Sequence, residues 1–316
     1  MSSADFRRFL SDSRPWLADA GLETDAIFNH GFDLPAFASF TLLEDAKGRD
    51  YAAAYFARFH RLAAEAGTGF VLDTMTWRAN APWLARMGRD GTVEAVNRAA
   101  VEFARSLREA WSGVPVVLAG MVGPAGDGYR IDDAFTPDTA HAAHRPQIAA
   151  LSKAGVDMLN VLTMTHLAEA QGIIRAAAEA GLPVALSFTV ETDGRLPSGQ
   201  PLDEAVEEAD ATAPVRPLYY MVNCAHPDHF ADALHKGDWL RRLGGIRANA
   251  SRLSHAELDV ATALDDGDPA EFGQLYAGLK ARLPAIKVIG GCCGTDHRHV
   301  AEAGAACLHG AAHQGA

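Results

Sequence analysis

Short apolar runs recur along this chain, separated by longer stretches whose apolar residues return at helical spacing. The pattern predicts strands at 16–20, 70–74, 114–119, 158–162, 184–189, 219–223, 246–249 and 287–290. Gly or Pro stands ahead of most of them, as expected where a helix has just ended. Between them, 51–65 places Tyr55, Phe59 and Leu62 on one stripe, and 92–111 is a long alanine-rich helical segment. Segments 168–180 and 271–283 read the same way. The stretch 191–217 holds several Gly and Pro residues and the acidic run 203–210, and reads as a loop followed by a short helix.

Strands that alternate with helices imply a parallel sheet, and eight of them are enough to close a barrel. The expected fold class is therefore α/β, a (β/α)8 TIM barrel, as a single domain over residues 1–316. A doubly wound open sheet uses the same alternation but normally has fewer strands. Neither a GxGxxG after the first strand nor a GxxxxGK[ST] loop is present, which weakens dinucleotide and nucleotide readings.

Composition narrows the function class. Hydrophobic residues make up 48% and charged residues 22%, enough apolar surface to bury a full core, so a disordered or fibrous chain is excluded. Lys and Arg number 28 against 40 Asp and Glu, and the net charge of -12 repels phosphate backbones and anionic lipid surfaces. Nucleic acid and membrane are therefore not expected partners. No stretch approaches the roughly 20 apolar residues that span a bilayer, and the start lacks the apolar centre of a signal peptide, so the expected location is cytoplasmic. Four cysteines in a chain this long are not a disulfide framework, and their positions matter more than their number.

Gly290-Gly291-Cys292-Cys293-Gly294-Thr295 follows the last predicted strand directly, on the catalytic face of a barrel, and Cys224 ends the strand 219–223. Three thiolates can thereby reach one rim, and thiolates are soft ligands suited to Zn2+. The flanking glycines let the backbone turn sharply enough for adjacent cysteines to aim at one ion. Three protein ligands leave the fourth tetrahedral position of a catalytic zinc open, where a substrate thiol would bind as the thiolate and attack a methyl group on a positively charged leaving group. The same residues also suit a buried cysteine beside a packed glycine-rich turn, or a redox-active adjacent pair, and spacing alone leaves these open. Cys307 reads as a buried residue of the final helix, 300–308, and His226, His229, His297 and His299 as loop or helix-start residues.

With Asn223-Cys224, Gly290 to Thr295 and an N-terminal Asp19-Ala20-Gly21-Leu22-Glu23-Thr24, the chain resembles the homocysteine S-methyltransferases, the group that includes betaine- and S-methylmethionine-dependent enzymes. The resemblance spans nearly the whole chain. It implies a zinc-containing (β/α)8 barrel with Cys224, Cys292 and Cys293 as metal ligands, homocysteine as methyl acceptor and methionine as product. Since 316 residues leave no room for folate and cobalamin modules, a small soluble donor is expected: S-methylmethionine or S-adenosylmethionine first, betaine as the alternative. The partners implied are thus a small-molecule thiol acceptor and a methyl donor.

Three departures from the family pattern mark candidate substrate residues. Ala20 replaces the first glycine of Asp-Gly-Gly, between Asp19 and Gly21. Leu162-Thr163 stands where the family has Glu-Thr, removing the glutamate that holds the acceptor's amino group, a charged hydrogen bond worth roughly 1.5 to 3 kcal/mol. Asp73 or Glu23 would replace that carboxylate, and a different thiol or selenol acceptor, or a non-catalytic zinc-binding barrel, are the alternatives. Third, Leu72 to Asn80 brings Asp73 and Trp77 to the rim in place of Thr-Asn-Thr-Phe. The Trp77 face would attract a sulfonium or quaternary ammonium group, its alternative being packing under a loop. Asp73 also suits a cap with Arg78 as its solvated partner. Asn249 ends the seventh strand and resembles a substrate-contacting family asparagine, or forms a turn. The glycine-containing loop 120–128 would shape the pocket through its backbone.

Overall fold

Eight parallel strands follow one another in sequence order around a closed barrel: β1 (Trp16–Leu17), β2 (Phe70–Asp73), β3 (Val116–Val122), β4 (Met158–Met164), β5 (Val184–Phe188), β6 (Tyr219–Asn223), β7 (Leu243–Ala248) and β8 (Val288–Gly291). The barrel closes where Trp16 and Leu17 of β1 pair with Val288 and Ile289 of β8. This computed structural model describes residues 3–131, 135–235, 237–283 and 285–309. The fold is the (β/α)8 barrel that the alternation predicts.

Side chains of each strand point alternately outward and inward. Phe70 and Leu72 pack outward with Phe56 and Phe59 of the helix Ala46–Glu65, while Val71 packs inward with Val117, Ala119 and Met158. The strands are buried on both faces, which is why they read as continuous apolar runs. The predicted helices at 51–65, 92–111, 168–180 and 271–283 correspond to Ala46–Glu65, Val93–Ala110, Leu167–Ala180 and Pro269–Arg282.

The differences from prediction have local causes. β3 runs to Val122 rather than stopping before Gly120, because Gly120 leaves the room that Leu151 fills: a side-chain carbon added there would fall 3.0 Å from Leu151 Cδ1. β7 starts at Leu243, ahead of two glycines that interrupt its apolar run, and the space above Gly245 is taken by Met221 of β6. The helix Pro137–Ala154 escaped the apolar pattern because it is polar and carries Pro146 in its interior. An unpredicted helix, Ala4–Ser11, closes the barrel floor. Its Phe9 ring meets Trp16 edge-on at 5.2 Å and Tyr219 at 6.2 Å, and Asp5 accepts from the Val116 amide at 3.0 Å.

At the other end, the strands' C-terminal ends open into loops. Residues after β1 form short helical turns, Leu22–Thr24, Asp25–Asn29, Pro35–Phe37 and Ser39–Glu44, that wall one side of the opening. Among the described residues, no helix is long and apolar enough to cross a membrane.

Candidate metal centre

Cys224, Cys292 and Cys293 meet at the C-terminal mouth of the barrel, with their sulfurs all within 4.8 Å of one another. Among the described residues this is the one group of three or more His, Cys, Asp or Glu side chains placed to share a metal ion. Cys224 adopts a left-handed backbone, φ 58°, which turns its side chain off the end of β6. For a residue other than glycine this conformation costs free energy and persists where the surroundings hold it. Here they do. Its carbonyl accepts from His255 Nε2 at 2.8 Å, Asn249 Nδ2 at 3.1 Å and Thr189 Oγ1 at 3.4 Å, and its amide donates to the Arg247 carbonyl at 3.1 Å.

The paired cysteines continue β8. The Cys292 amide donates to the Ala248 carbonyl at 2.9 Å, the Ala250 amide to the Cys293 carbonyl at 3.1 Å, and Thr295 Oγ1 to the Cys292 carbonyl at 2.6 Å. Gly21 lets the first loop approach this turn, since a side-chain carbon there would lie 2.6 Å from the Cys292 carbonyl oxygen. Asn223 is fixed through Thr163, whose amide donates to Asn223 Oδ1 at 2.8 Å, and its Nδ2 then lies 3.8 Å from Cys292 Sγ. The Tyr129 hydroxyl stands 3.3 Å from Cys224 Sγ and 3.9 Å from Cys293 Sγ, while its ring stacks on His255 at 4.2 Å.

These contacts divide the three thiols unequally. Hydrogen bonds from Cys224 and Cys293, aided by the Arg247 charge, hold the Cys292 thiol well below its usual range. Cys224 is pushed up, chiefly by its hydrogen bond to Cys292, and Cys293 chiefly by its hydrogen bond with Cys224. A convergent set of three cysteine sulfurs fits a soft divalent metal such as zinc. Cys307 lies apart in the last helix, directed at the Tyr276 carbonyl at 3.7 Å. His226 caps its own turn through the Asp228 amide, His229 Nε2 binds the Arg252 carbonyl and His299 Nε2 the Asp266 carbonyl, so all three are engaged in loop and helix-start contacts.

A cavity of about 460 Å³ opens over the sulfurs, lined by Asp19, Gly21, Glu23, Asp73 and Trp77 together with the three cysteines. Asn249 lies behind Cys224 instead, acting on its carbonyl. Leu162 is buried in the cavity wall.

Arg247 reorganises the acidic residues that the sequence brought forward. It reaches from β7 to form buried ion pairs with both Asp19 and Asp73, and Asn160 Nδ2 donates to Asp73 at 2.9 and 3.0 Å. Burial is the largest influence on both carboxyls: it pushes Asp19 up to about 7 and Asp73 upward, against the pull of Arg247. The guanidinium is itself pushed up, because its two carboxylates outweigh the effect of burial. Half-buried Glu23 is raised by burial and makes no ion pair among the described residues.

Arg78 is not the solvated partner of Asp73. It is buried, and its guanidinium lies between the rings of Trp77 and Trp83, 3.9 Å from each centroid. The Trp77 ring thus already carries an internal cation while it lines the cavity. Arg247, Tyr129 and Arg78 were missed as site residues by sequence reasoning. Arg247 left a signal, a lone charge inside a predicted buried strand; Tyr129 left none, since its partners come from distant elements.

The homocysteine S-methyltransferase family model matches residues 19–307. The chain belongs to this family. It is 27% identical over 202 residues to a Bacillus subtilis homocysteine S-methyltransferase, YbgG, a match covering 59% of this chain and 60% of that protein. It is 34% identical over 153 residues to the Escherichia coli homocysteine S-methyltransferase, covering 42% of this chain and 47% of the relative. The matched stretches thus span less than two thirds of either relative. The metallated form of the E. coli homocysteine methyltransferase MmuM superposes with a TM-score of 0.73 at 22% identity, over 95% of this chain and 99% of that one, a likeness of fold.

Proposed function

We propose that this chain is a zinc-dependent S-methyltransferase that moves a methyl group from a small sulfonium donor, S-methylmethionine or S-adenosylmethionine, to the thiol of homocysteine, giving methionine. The convergence of Cys224, Cys292 and Cys293 beneath a cavity of substrate size carries this reading, together with membership of the family. Those three sulfurs would hold the zinc, and bound zinc supplies the Lewis acidity that keeps a substrate thiol ionised at neutral pH.

The acceptor's thiol proton leaves to solvent, and its thiolate attacks the donor methyl carbon. A new S–CH3 bond forms as the old C–S bond breaks, and the departing thioether keeps the electron pair and becomes neutral. The chain's residues hold the reactants in line. Glu23, which lines the cavity and makes no ion pair among the described residues, faces the acceptor's ammonium group in this reading. Asp19 and Asp73 are taken up by Arg247 and act by shaping the site. Gly21 keeps the first loop close to the Cys292 turn, Asn249 holds Cys224 in its left-handed geometry, and Trp77 stacks with Arg78.

A second acceptor reading, another thiol or selenol, is favoured by Leu162, which offers no charge to an amino group at that wall. The deciding experiment follows deuterium-labelled methyl from S-methylmethionine, S-adenosylmethionine and betaine into homocysteine, using reduced protein of confirmed zinc content. Labelled methionine supports the proposal and names the donor. Its absence with all three donors overturns homocysteine as acceptor, and turnover retained by zinc-free Cys292→Ser overturns the metal's role.

A further inference from the structure

We propose that Arg78 is the carboxylate-binding, specificity-determining residue of the cavity, so that the site takes amino-acid-type substrates by their carboxylate. This rests on the functional reading above for the reaction, and on Arg78's own surroundings for the recognition. Arg78 is only 7% exposed and lines the same cavity as Glu23 and the three cysteines. A guanidinium this deeply buried is ordinarily matched by a carboxylate. Arg78 has none: among the described residues it makes no ion pair, Nη1 donates to the Gly126 carbonyl at 3.1 Å, and buried Nε has no hydrogen-bond partner. The nearby Asp127 acts on Arg78 through its charge, without an ion-pair contact: its Oδ1 accepts from the amides of Tyr129 at 2.8 Å and Arg130 at 3.0 Å, and its Oδ2 stands 4.0 Å from Arg130 Nη2.

What holds Arg78 leaves Nη2 free. The guanidinium carbon lies 3.9 Å from the ring centroids of both Trp77 and Trp83, Nη1 is used by the Gly126 carbonyl, and Nη2 makes no hydrogen bond among the described residues. A planar fork held in one orientation suits bidentate recognition of a carboxylate. Gly128 keeps space beside it, since a side-chain carbon there would fall 3.2 Å from Trp77 Cη2 and 3.9 Å from Arg78 Nη2. Burial lowers Arg78 only to about 10, so it is charged at neutral pH. With Glu23, hydrogen-bonded by Ser39 but in no ion pair among the described residues, lining the same cavity, the charges complement a zwitterion. Both the acceptor and the donors named above carry a carboxylate, and the experiment separates them.

The test measures equilibrium binding to the zinc-loaded full chain, by calorimetry and tryptophan fluorescence. The ligands are homocysteine against 3-aminopropane-1-thiol, and S-methylmethionine against (3-aminopropyl)dimethylsulfonium. Wild type should prefer the carboxylate form of at least one pair by about tenfold or more. Arg78→Met should abolish that preference without weakening the carboxylate-free ligand, and Arg78→Lys should keep part of it. The pair affected tells acceptor from donor. Gly128→Val, which retains Arg78 and fills the space beside Nη2, should lose the same preference, and serves if Arg78→Met does not fold. The proposal is overturned if wild type shows no carboxylate preference, if folded Arg78→Met keeps it, or if both ligands of a pair weaken by the same factor. Absence of methyl transfer with the preference intact would remove the proposed reaction and leave this role of Arg78 standing.

Discussion

Arg247 of β7 and Asp73 of β2 are joined by a buried ion pair across the barrel mouth, over the two strands, β8 and β1, that separate them. Asp19, just beyond β1, takes the other side of the same guanidinium. Removing the cation strands two buried carboxylates. Arg247→Met should lower the unfolding free energy by about 3 to 5 kcal/mol, read by urea denaturation, with much of the loss recovered when Asp19→Asn and Asp73→Asn are added. A loss below about 1 kcal/mol would contradict the assigned burial cost.

The same triad gives stability a pH dependence. Asp19 sits at about 7 in the fold against an ordinary 3.8, so between those values the native chain binds a proton more readily than the unfolded chain. Stability from this group is therefore greatest at the acidic end and declines as pH rises from about 4 to about 7. Unfolding free energies across that window should show the downward slope, and Asp19→Asn should flatten it.

Gly21→Ala should damage the metal centre. The added carbon meets Thr24 Oγ1 at 2.5 Å and the Cys292 carbonyl oxygen at 2.6 Å, and the second is backbone that cannot rotate away. The expected cost is about 1 to 3 kcal/mol with reduced zinc content, measured by denaturation and metal analysis. Gly278→Ala is the matched control: in the helix Pro269–Arg282 with nothing within 4 Å of the added carbon, it should stabilise by about 0.5 to 1 kcal/mol.

Leu162→Glu tests the acceptor. With the ammonium group of homocysteine against Glu23, the substitution should leave the homocysteine KM within about twofold of wild type, and a fall of about tenfold would place that group at the Leu162 wall instead.

The barrel was legible because each of its strands is buried on both faces and so appears as an apolar run bounded by Gly or Pro. What escaped notice was whatever broke that rule locally, as with the glycine pair opening β7, the proline within Pro137–Ala154 and the short helix Ala4–Ser11, whose partner is the barrel floor. The cysteines were legible through their type and their places at strand ends.

The sequence alone determined the architecture, the family resemblance and the candidate ligand set, since periodicity, punctuation and reactive residue types are local properties of a chain. Only the tertiary structure decided how the charges pair. Asp73 reads as a substrate carboxylate or, alternatively, as a cap with solvated Arg78 five residues on, yet the barrel gives Asp73 to Arg247 and leaves Arg78 buried against two tryptophans in the cavity wall. Electrostatic partnership in a buried site depends on distance through space and on burial, and neither is written in residue order.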